Sequence, residues 1–293
     1  MITLDEKSQL LVDANQIDEN VSQIILGDTR HVLENLPSDF YAACITSPPY
    51  WGKRDYGVPN QIGAEDDLDE YIENLVVIFR EVKQKLKDDG TLWLNLGDSY
   101  TSGNRTWRAP DKKNPARSMS YRPPTPQGLK PKDLIGVPWQ VALALQKDGW
   151  YLRSDIIWYK PNCQPESVKD RPTMSHEYIF LLTKSEKYYY DYLEIKETAR
   201  STGKLRNKRS VWQVNTEAFP GAHFATFPRR LIVPMIKAGT KKQDFVLDPF
   251  FGAGTVGEVC TNLERNFHGI EINPEYAEMA NARLKEMING RIF

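Results

Sequence analysis

The chain has 293 residues, 40% of them hydrophobic, and its 38 Lys/Arg against 39 Asp/Glu leave a net charge of −1. That length and apolar share suffice for one large α/β domain or two small ones with a proper core, and they exclude a chain disordered throughout. No apolar run approaches the roughly 20 residues of a membrane span and the N-terminus is acidic and polar, so neither a signal nor a spanning segment is expected, and a soluble, cytoplasmic protein without a membrane partner is the expectation.

Cys44, Cys163 and Cys260 stand far apart, without the paired spacing of a disulfide framework or a zinc site, and the four histidines are equally scattered, so no metal is expected. The charge is uneven. From Arg105 to Lys132 there are eight basic residues (Arg105, Arg108, Lys112, Lys113, Arg117, Arg122, Lys130, Lys132) against Asp111 alone. Lys196, Arg200, Lys204, Arg206, Lys208 and Arg209 form a second basic stretch opposed by Glu197. Basic segments of this kind point to a polyanion partner.

Residues 1–20 are polar without periodicity and are expected to be an appendage to a domain over 21–293. Gln23-Ile24-Ile25-Leu26 reads as a strand ended by Gly27-Asp28, with Thr29 as the cap of a helix toward Leu36. Asp28, just past a strand end, is either a turn or cap aspartate or a ligand-facing acid. Ala42-Ala43-Cys44-Ile45 suits a buried parallel strand, and Thr46-Ser47-Pro48-Pro49-Tyr50-Trp51 follows it as a sharp turn. Two prolines in succession fix φ and remove two N–H donors, leaving the carbonyls of Ser47 and Pro48 as rigid acceptors beside a hydroxyl and an aromatic pair. A planar amine fits that shape. Taken alone, the turn reads more readily as a strand end with Tyr50 and Trp51 in a core, and the second motif downstream changes that balance.

Leu68, Ile72, Leu75, Val76, Phe79, Val82 and Leu86 recur at helical spacing as far as Asp88-Asp89-Gly90, and Thr91–Leu96 forms a strand. Asn95, Asp98, Ser99 and Tyr100 lie at its end, where an open α/β sheet builds its site. Residues 100–133 have no periodicity and carry six prolines and the first basic cluster with Trp107 and Tyr121 interleaved, as expected of a loop facing nucleic acid. A helix over Val137–Lys147, strands over Tyr151–Trp158 and Tyr178–Leu182, and an edge strand or hairpin arm at Tyr188–Tyr190 follow. Residues 185–222 form the second candidate segment for reading DNA.

Pro228–Ala238 is a helix, and Phe245–Asp248 is a strand that runs into Pro249-Phe250-Phe251-Gly252-Ala253-Gly254-Thr255-Val256-Gly257. The glycines have nucleotide-binding spacing: without side chains, the backbone amides can approach a ligand at a helix N-terminus. Glu271 ends the next strand, Phe267–Ile270, about 20 residues past the first glycine, where an acid accepts ribose hydroxyls. Only one strand and two helices follow the glycine loop. The rest of the nucleotide half is therefore expected from upstream, giving one sheet in permuted order with Ser47 and the glycine loop on the same strand-end edge.

With both anchors in view, the chain resembles the DNA amino-methyltransferases that use S-adenosylmethionine, in the permuted β arrangement. The resemblance spans about 24–280. It rests on Thr46–Trp51, Asp248–Thr255, Glu271, Gly27-Asp28, Trp158–Asn162, His176-Glu177-Tyr178 and Ala222–Pro228. It implies an α/β, doubly wound, mostly parallel Rossmann-like methyltransferase sheet in circularly permuted order, with DNA-facing loop insertions. It also implies a catalytic motif at Ser47, Pro48, Pro49 and Tyr50, with Tyr50 stacking on a base swung out of double-stranded DNA. The cofactor would be held by Asp28, Phe224, Asp248, Pro249, Phe250, Gly252, Gly254, Thr255 and Glu271. DNA would be held by Arg105, Arg108, Lys112, Lys113, Arg117, Arg122, Lys204, Arg206, Lys208 and Arg209.

The chemistry agrees with the resemblance. An exocyclic amine is a poor nucleophile until acceptors draw its N–H groups out of the ring plane, and the base must leave the stack to react. No Pro-Cys pair occurs, which disfavours cytosine C5 chemistry. In the family serine at the first motif position more often accompanies cytosine N4 and aspartate adenine N6, so cytosine N4 is expected, with adenine N6 as the alternative and Asn95 or Asp98 as an assistant to Ser47. A cognate restriction nuclease is a partner that the resemblance allows. The rival readings are a nicotinamide-dependent oxidoreductase, a methyltransferase of RNA or protein glutamine, and a silent nucleic-acid-binding module.

Overall fold

Apolar runs that alternate with amphipathic segments set the architecture seen in the computed structural model, which describes residues 10–102, 107, 122–199, 201–217 and 228–290. In chain order the elements are β1 (Leu11–Asp13), β2 (Gln23–Leu26), α1 (Thr29–Glu34), β3 (Tyr41–Thr46), α2 (Leu68–Lys85), β4 (Leu86–Leu96), α3 (Val137–Lys147), β5 (Tyr151–Tyr159) and β6 (His176–Thr183). They continue with β7 (Glu197–Thr198), β8 (Leu205–Arg206), β9 (Val211–Gln213), α4 (Arg229–Gly239), β10 (Phe245–Asp248), α5 (Thr255–Asn262), β11 (Asn266–Glu271) and α6 (Pro274–Ile288).

Among the described residues the main sheet has the order β1-β2-β11-β10-β3-β4-β6-β5-β9, and β7 and β8 pair separately. From β1 to β4 every neighbouring pair is parallel, whereas β6 runs antiparallel to both β4 and β5. The C-terminal strand β10 therefore lies in the middle of the sheet, next to β3, with Leu247 opposite Cys44. This is the doubly wound, mostly parallel sheet in permuted order.

Strands buried on both faces read as continuous apolar runs because each face meets its own helix layer. Leu92, Leu94 and Leu96 of β4 join Cys44, Leu247, Leu33, Leu75, Phe79 and Val141 in one buried cluster. Trp93 points the other way, with Ala43, Ile45, Val246, Leu231, Met235, Val256 and Leu284. Helices α1–α3 thus cover one face and α4–α6 the other. Asp67 caps α2 by accepting from the amides of Asp69 and Glu70, and Asn273 caps α6 ahead of Pro274. No helix of the described residues is long and apolar enough to cross a membrane.

Four expectations need correction. Residues 11–13 pair in parallel with β2, so the sheet begins inside the stretch taken for an appendage. The cap of α1 is Asp28, not Thr29: its side chain accepts from the Arg30 amide, and Thr29 is already helical. Asp88-Asp89-Gly90 do not stop a helix, since α2 ends at Lys85 and β4 starts at Leu86 with an irregularity in its pairing to Tyr41 and Ala43. Tyr188–Tyr190 form no strand. The Tyr189 amide bonds Asp89 O at 2.9 Å and the Tyr190 ring stacks on Trp93, a tertiary use of aromatics that local pattern does not disclose.

Candidate active site

Thr46 ends β3 and Asp248 ends β10. Separated by 202 positions in the chain, they meet through Thr46 Oγ1, which donates to Asp248 Oδ1 at 2.6 Å. The Phe250 amide donates to the same oxygen at 3.1 Å. Burial pushes the Asp248 carboxyl up to about 7, although these two donors pull it down and Glu271 adds to the rise. The two sequence anchors are thus joined at one edge of the sheet.

The glycine loop turns at Gly252 and Gly254, whose φ values of 53° and 78° lie in the left-handed region that favours glycine, and Gly254 then starts α5. Gly269 serves packing instead: a Cβ there would come within 2.1 Å of the Phe251 ring, so its absence lets that ring lie against β11. Glu271, buried at the end of β11, accepts from the Gly252 amide at 2.8 Å and from the Asn273 amide at 2.8 Å. Burial raises its carboxyl and these amides oppose the rise.

Asp28 is a cap and an ion-pair partner at once, because its carboxylate also takes a two-pronged pair from Arg30. Burial would raise the carboxyl, but the bonds to Arg30 hold it below its ordinary value. Arg30 also donates to Asn60 O at 3.0 Å, and Asn273 Nδ2 donates to Tyr56 O at 3.1 Å. Residues 53–62 are thereby strapped from α1 across to α6. The sequence showed this stretch only as a loop.

One cavity of about 230 Å³ runs along this edge. Its walls include Gly27, Asp28, Arg54 and Tyr56, then Phe250, Gly252, Thr255, Glu271 and Ile272, and then Ser47, Pro48, Pro49, Tyr50, Asn95, Lys160, Glu177 and Glu217. Asp248 and Pro249 line it as well, whereas Gly254 is not on its wall.

The Ser47 turn is held from several sides. Tyr71 OH donates to Pro49 O at 2.9 Å, while the Pro48 carbonyl has no hydrogen-bond partner among the described residues. Asn95 Nδ2 lies 2.7 Å from Tyr50 OH, 2.8 Å from Glu177 Oε2 and 3.5 Å from Ser47 Oγ. Tyr50 OH donates to Glu177 Oε2 at 2.8 Å, and Lys160 forms an ion pair with Glu177 Oε1. Burial and the Glu177 charge push the Tyr50 hydroxyl well above its ordinary range. Asp98 is differently occupied. It accepts from the amides of Ser99, Gly136 and Val137, supplying a carboxylate to the N-terminus of α3.

Of the basic residues, Lys204 and Arg209 are exposed, Arg206 pairs with Glu197, and Lys208 sits 5.0 Å from the Trp212 ring centroid. Arg122 is half-buried in a crevice with Trp51, Tyr100 and Pro123. Arg105, Arg108, Lys112, Lys113, Arg117 and Phe224 lie outside the described residues. The segment around Lys208 also carries β9, which pairs with β5 at the sheet edge. Glu177, Lys160 and the strap were not singled out as site residues. The signals for Glu177 were its place in the His176-Glu177-Tyr178 stretch on which the resemblance rests and its charge near the start of an otherwise apolar strand.

A family model described as "DNA methylase" matches residues 41–282. The Type II methyltransferase M.SmaI of Serratia marcescens is 62% identical over 264 residues, which cover 89% of this chain and 90% of that protein. The Type II methyltransferase M.Cfr9I of Citrobacter freundii is 60% identical over 269 residues, covering 92% and 89%. Among solved structures, the PvuII DNA methyltransferase (cytosine-N4-specific) superposes with a TM-score of 0.68 at 21% identity, covering 92% of this chain and 91% of that one. A Thermus thermophilus protein described as a "Putative DNA Modification Methylase", complexed with S-adenosyl-L-methionine, gives 0.64 at 23% identity, covering 92% and 96%. The chain belongs to the N6/N4 DNA methylase family and is a site-specific Type II DNA methyltransferase that uses S-adenosylmethionine.

Proposed function

We propose that the enzyme methylates cytosine at N4 within its recognition sequence. Ser47 Oγ and the Pro48 carbonyl accept from the exocyclic amine, and Tyr50 offers its ring to the extruded base. The observation that carries this reading is the Ser47 turn itself. A neutral hydroxyl and a carbonyl without a partner among the described residues stand on the cavity wall directly beside the end of β10. Two fixed acceptors bias the amine toward a pyramidal, nucleophilic geometry and need no reorganisation during reaction. Serine rather than aspartate at the first position favours cytosine N4 over adenine N6.

The cavity suits the cofactor on its own chemistry. Glu271 is oriented by two backbone amides and keeps lone pairs for a diol. Phe250, Ile272 and Tyr276 supply apolar wall, and the glycine loop leaves room at the start of α5. In this reading Glu271 holds the ribose, Asp28 lies toward the adenine, and Phe250, Gly252 and Thr255 hold the methionine part, with Asp248, Pro249 and Gly254 shaping the loop. The bound sulfonium supplies an electrophilic methyl group. The protein's share is to orient the amine, exclude water beneath the strap and receive the surplus proton.

Basic side chains carry the duplex: Lys204 and Arg209 on the described surface, together with Arg105, Arg108, Lys112, Lys113 and Arg117. The enzyme acts in the cytoplasm and protects DNA from a nuclease of the same specificity. Nucleoside analysis of DNA methylated by the purified enzyme tests the reading. N4-methylcytosine at one short sequence is the expected product, and N6-methyladenine would overturn the base assignment.

A further inference from the structure

Behind Ser47 lies a largely buried carboxylate for which the reading above has no use. Glu177 is the second residue of β6 and its carboxylate reaches the cavity wall between the Ser47 turn and β5. Ser47 Oγ donates to Tyr50 OH at 3.4 Å, and Tyr50 OH donates to Glu177 Oε2 at 2.8 Å. The direction of these bonds is fixed. Tyr50 has one proton, and its oxygen already receives Asn95 Nδ2 at 2.7 Å, so its proton points at Glu177.

Two further features set this cluster apart from ordinary packing. A carboxylate held out of water costs several kcal/mol before its pairing is counted, yet it occupies a strand that continues as Ile179, Phe180, Leu181 and Leu182. Asn95 Oδ1 is buried without a hydrogen-bond partner among the described residues, a desolvation cost tolerated beside the same hydroxyls. Uncompensated polar groups concentrate where function demands them.

Resting on the assignment of Ser47 to the target amine, we propose that Glu177 is the terminal proton acceptor of methyl transfer, reached from Ser47 through the Tyr50 hydroxyl. The nitrogen lone pair forms the new N–C bond, and the old C–S bond breaks with its electron pair left on sulfur. Nitrogen then carries one proton too many. The electrons of one N–H bond return to nitrogen as that proton passes to Ser47 Oγ. The proton of Ser47 passes to the Tyr50 oxygen, and that of Tyr50 to Glu177 Oε2. Serine and tyrosine finish unchanged, and only the carboxylate is protonated. The neutral acid no longer balances Lys160, which favours return of the proton to water before the next turnover.

The groups around Glu177 suit this task. Lys160 faces it from β5, Tyr50 from the Ser47 turn and uncharged Asn95 from β4, with Lys53 and Glu217 elsewhere on the cavity wall. Burial raises its carboxyl, but Lys160 and the donors of Asn95 and Tyr50 outweigh that and hold it below the ordinary value. It is therefore ionised and ready at neutral pH.

The test is single-turnover methyl transfer against pH for the wild type, E177Q, K160M and S47A, with S-adenosylmethionine binding by calorimetry and infrared titration of the carboxyl band in the protein alone. E177Q is expected to slow transfer by about 10²–10⁴-fold at unchanged cofactor affinity and to lose the acidic limb of the profile. K160M is expected to move that limb, and the infrared titration of Glu177, to higher pH together. A limb that stays in place in K160M, or wild-type transfer in E177Q while S47A is slow, overturns the relay alone. Wild-type transfer in both E177Q and S47A overturns the assignment of Ser47 beneath it.

Discussion

Replacing Gly97 by alanine puts one carbon where the site has no room for it. A Cβ at this position would meet Tyr50 Cε2 at 2.7 Å and the Cγ and Cδ of Glu177 at 3.1 Å, whereas ordinary contact begins at 3.4 Å. The Tyr50 ring must retreat by about 3.4 − 2.7 = 0.7 Å and Glu177 by about 3.4 − 3.1 = 0.3 Å. Displacements approaching 1 Å cost on the order of 10²-fold in a positioned reaction, or about 2.7 kcal/mol of barrier, and overpacking costs about 1–3 kcal/mol of stability. The glycine loop is on β10, two strands away, so cofactor affinity should hold. The assay is single-turnover transfer of labelled methyl groups, with cofactor binding measured by calorimetry. We expect transfer to fall by about 10–100-fold at unchanged cofactor affinity and a melting point a few degrees lower. A folded G97A protein with wild-type transfer would refute the claim that Tyr50 must sit where Gly97 lets it sit.

His268 makes the fold acid-labile. Burial pushes its imidazole down to about 4 from 6.5, with Tyr41 OH 2.6 Å from Nδ1, so the unfolded chain takes up a proton first and stability is lost as pH falls from about 6.5 through about 4. At about 1.36 kcal/mol per pKa unit the loss is about 3 kcal/mol, readable by urea unfolding at several pH values and reduced in H268Q; equal acid sensitivity in H268Q would contradict it. Asp248 acts with the opposite sign: its carboxyl, raised from 3.8 to about 7, contributes stability at low pH that is lost as pH rises through about 7, so D248N should be less sensitive to rising pH. Neutralising Arg105, Arg108, Lys112 and Lys113 together should weaken DNA binding and lower the slope of log K against log salt by about 0.9 per lost phosphate contact, as read by fluorescence anisotropy. An unchanged slope would put the DNA path elsewhere.

The parts of the site legible in the sequence are those where backbone and side chain are constrained together. Ser47-Pro48-Pro49-Tyr50 and Gly252–Gly257 announce themselves because proline and glycine restrict or free φ at fixed positions, and the apolar runs beside them identify their strands. Their adjacency was open to reasoning as well, since one strand after the glycine loop cannot complete a sheet. What stayed hidden depends on partners distant in the chain. Asp98 looked like a site acid but reaches across to the amides of Gly136 and Val137. Asp28 allowed two readings, and the structure gives it both a capping bond and a place on the cavity wall. Glu177 and Lys160 become a pair only when β5 lies beside β6, and β1 is too short to stand out before β2 is there to pair with it. The strap over residues 53–62 has no periodicity to read, because Arg30 and Asn273 hold it through backbone carbonyls.

Methyl transfer and cofactor binding measured side by side on S47A and E271A test most directly whether the two loops serve one reaction. The account predicts that S47A loses turnover by about 100-fold or more, the order of magnitude of a lost acid–base group, while binding S-adenosylmethionine normally, and that E271A loses cofactor affinity first. Equal losses of cofactor binding in both proteins would contradict it.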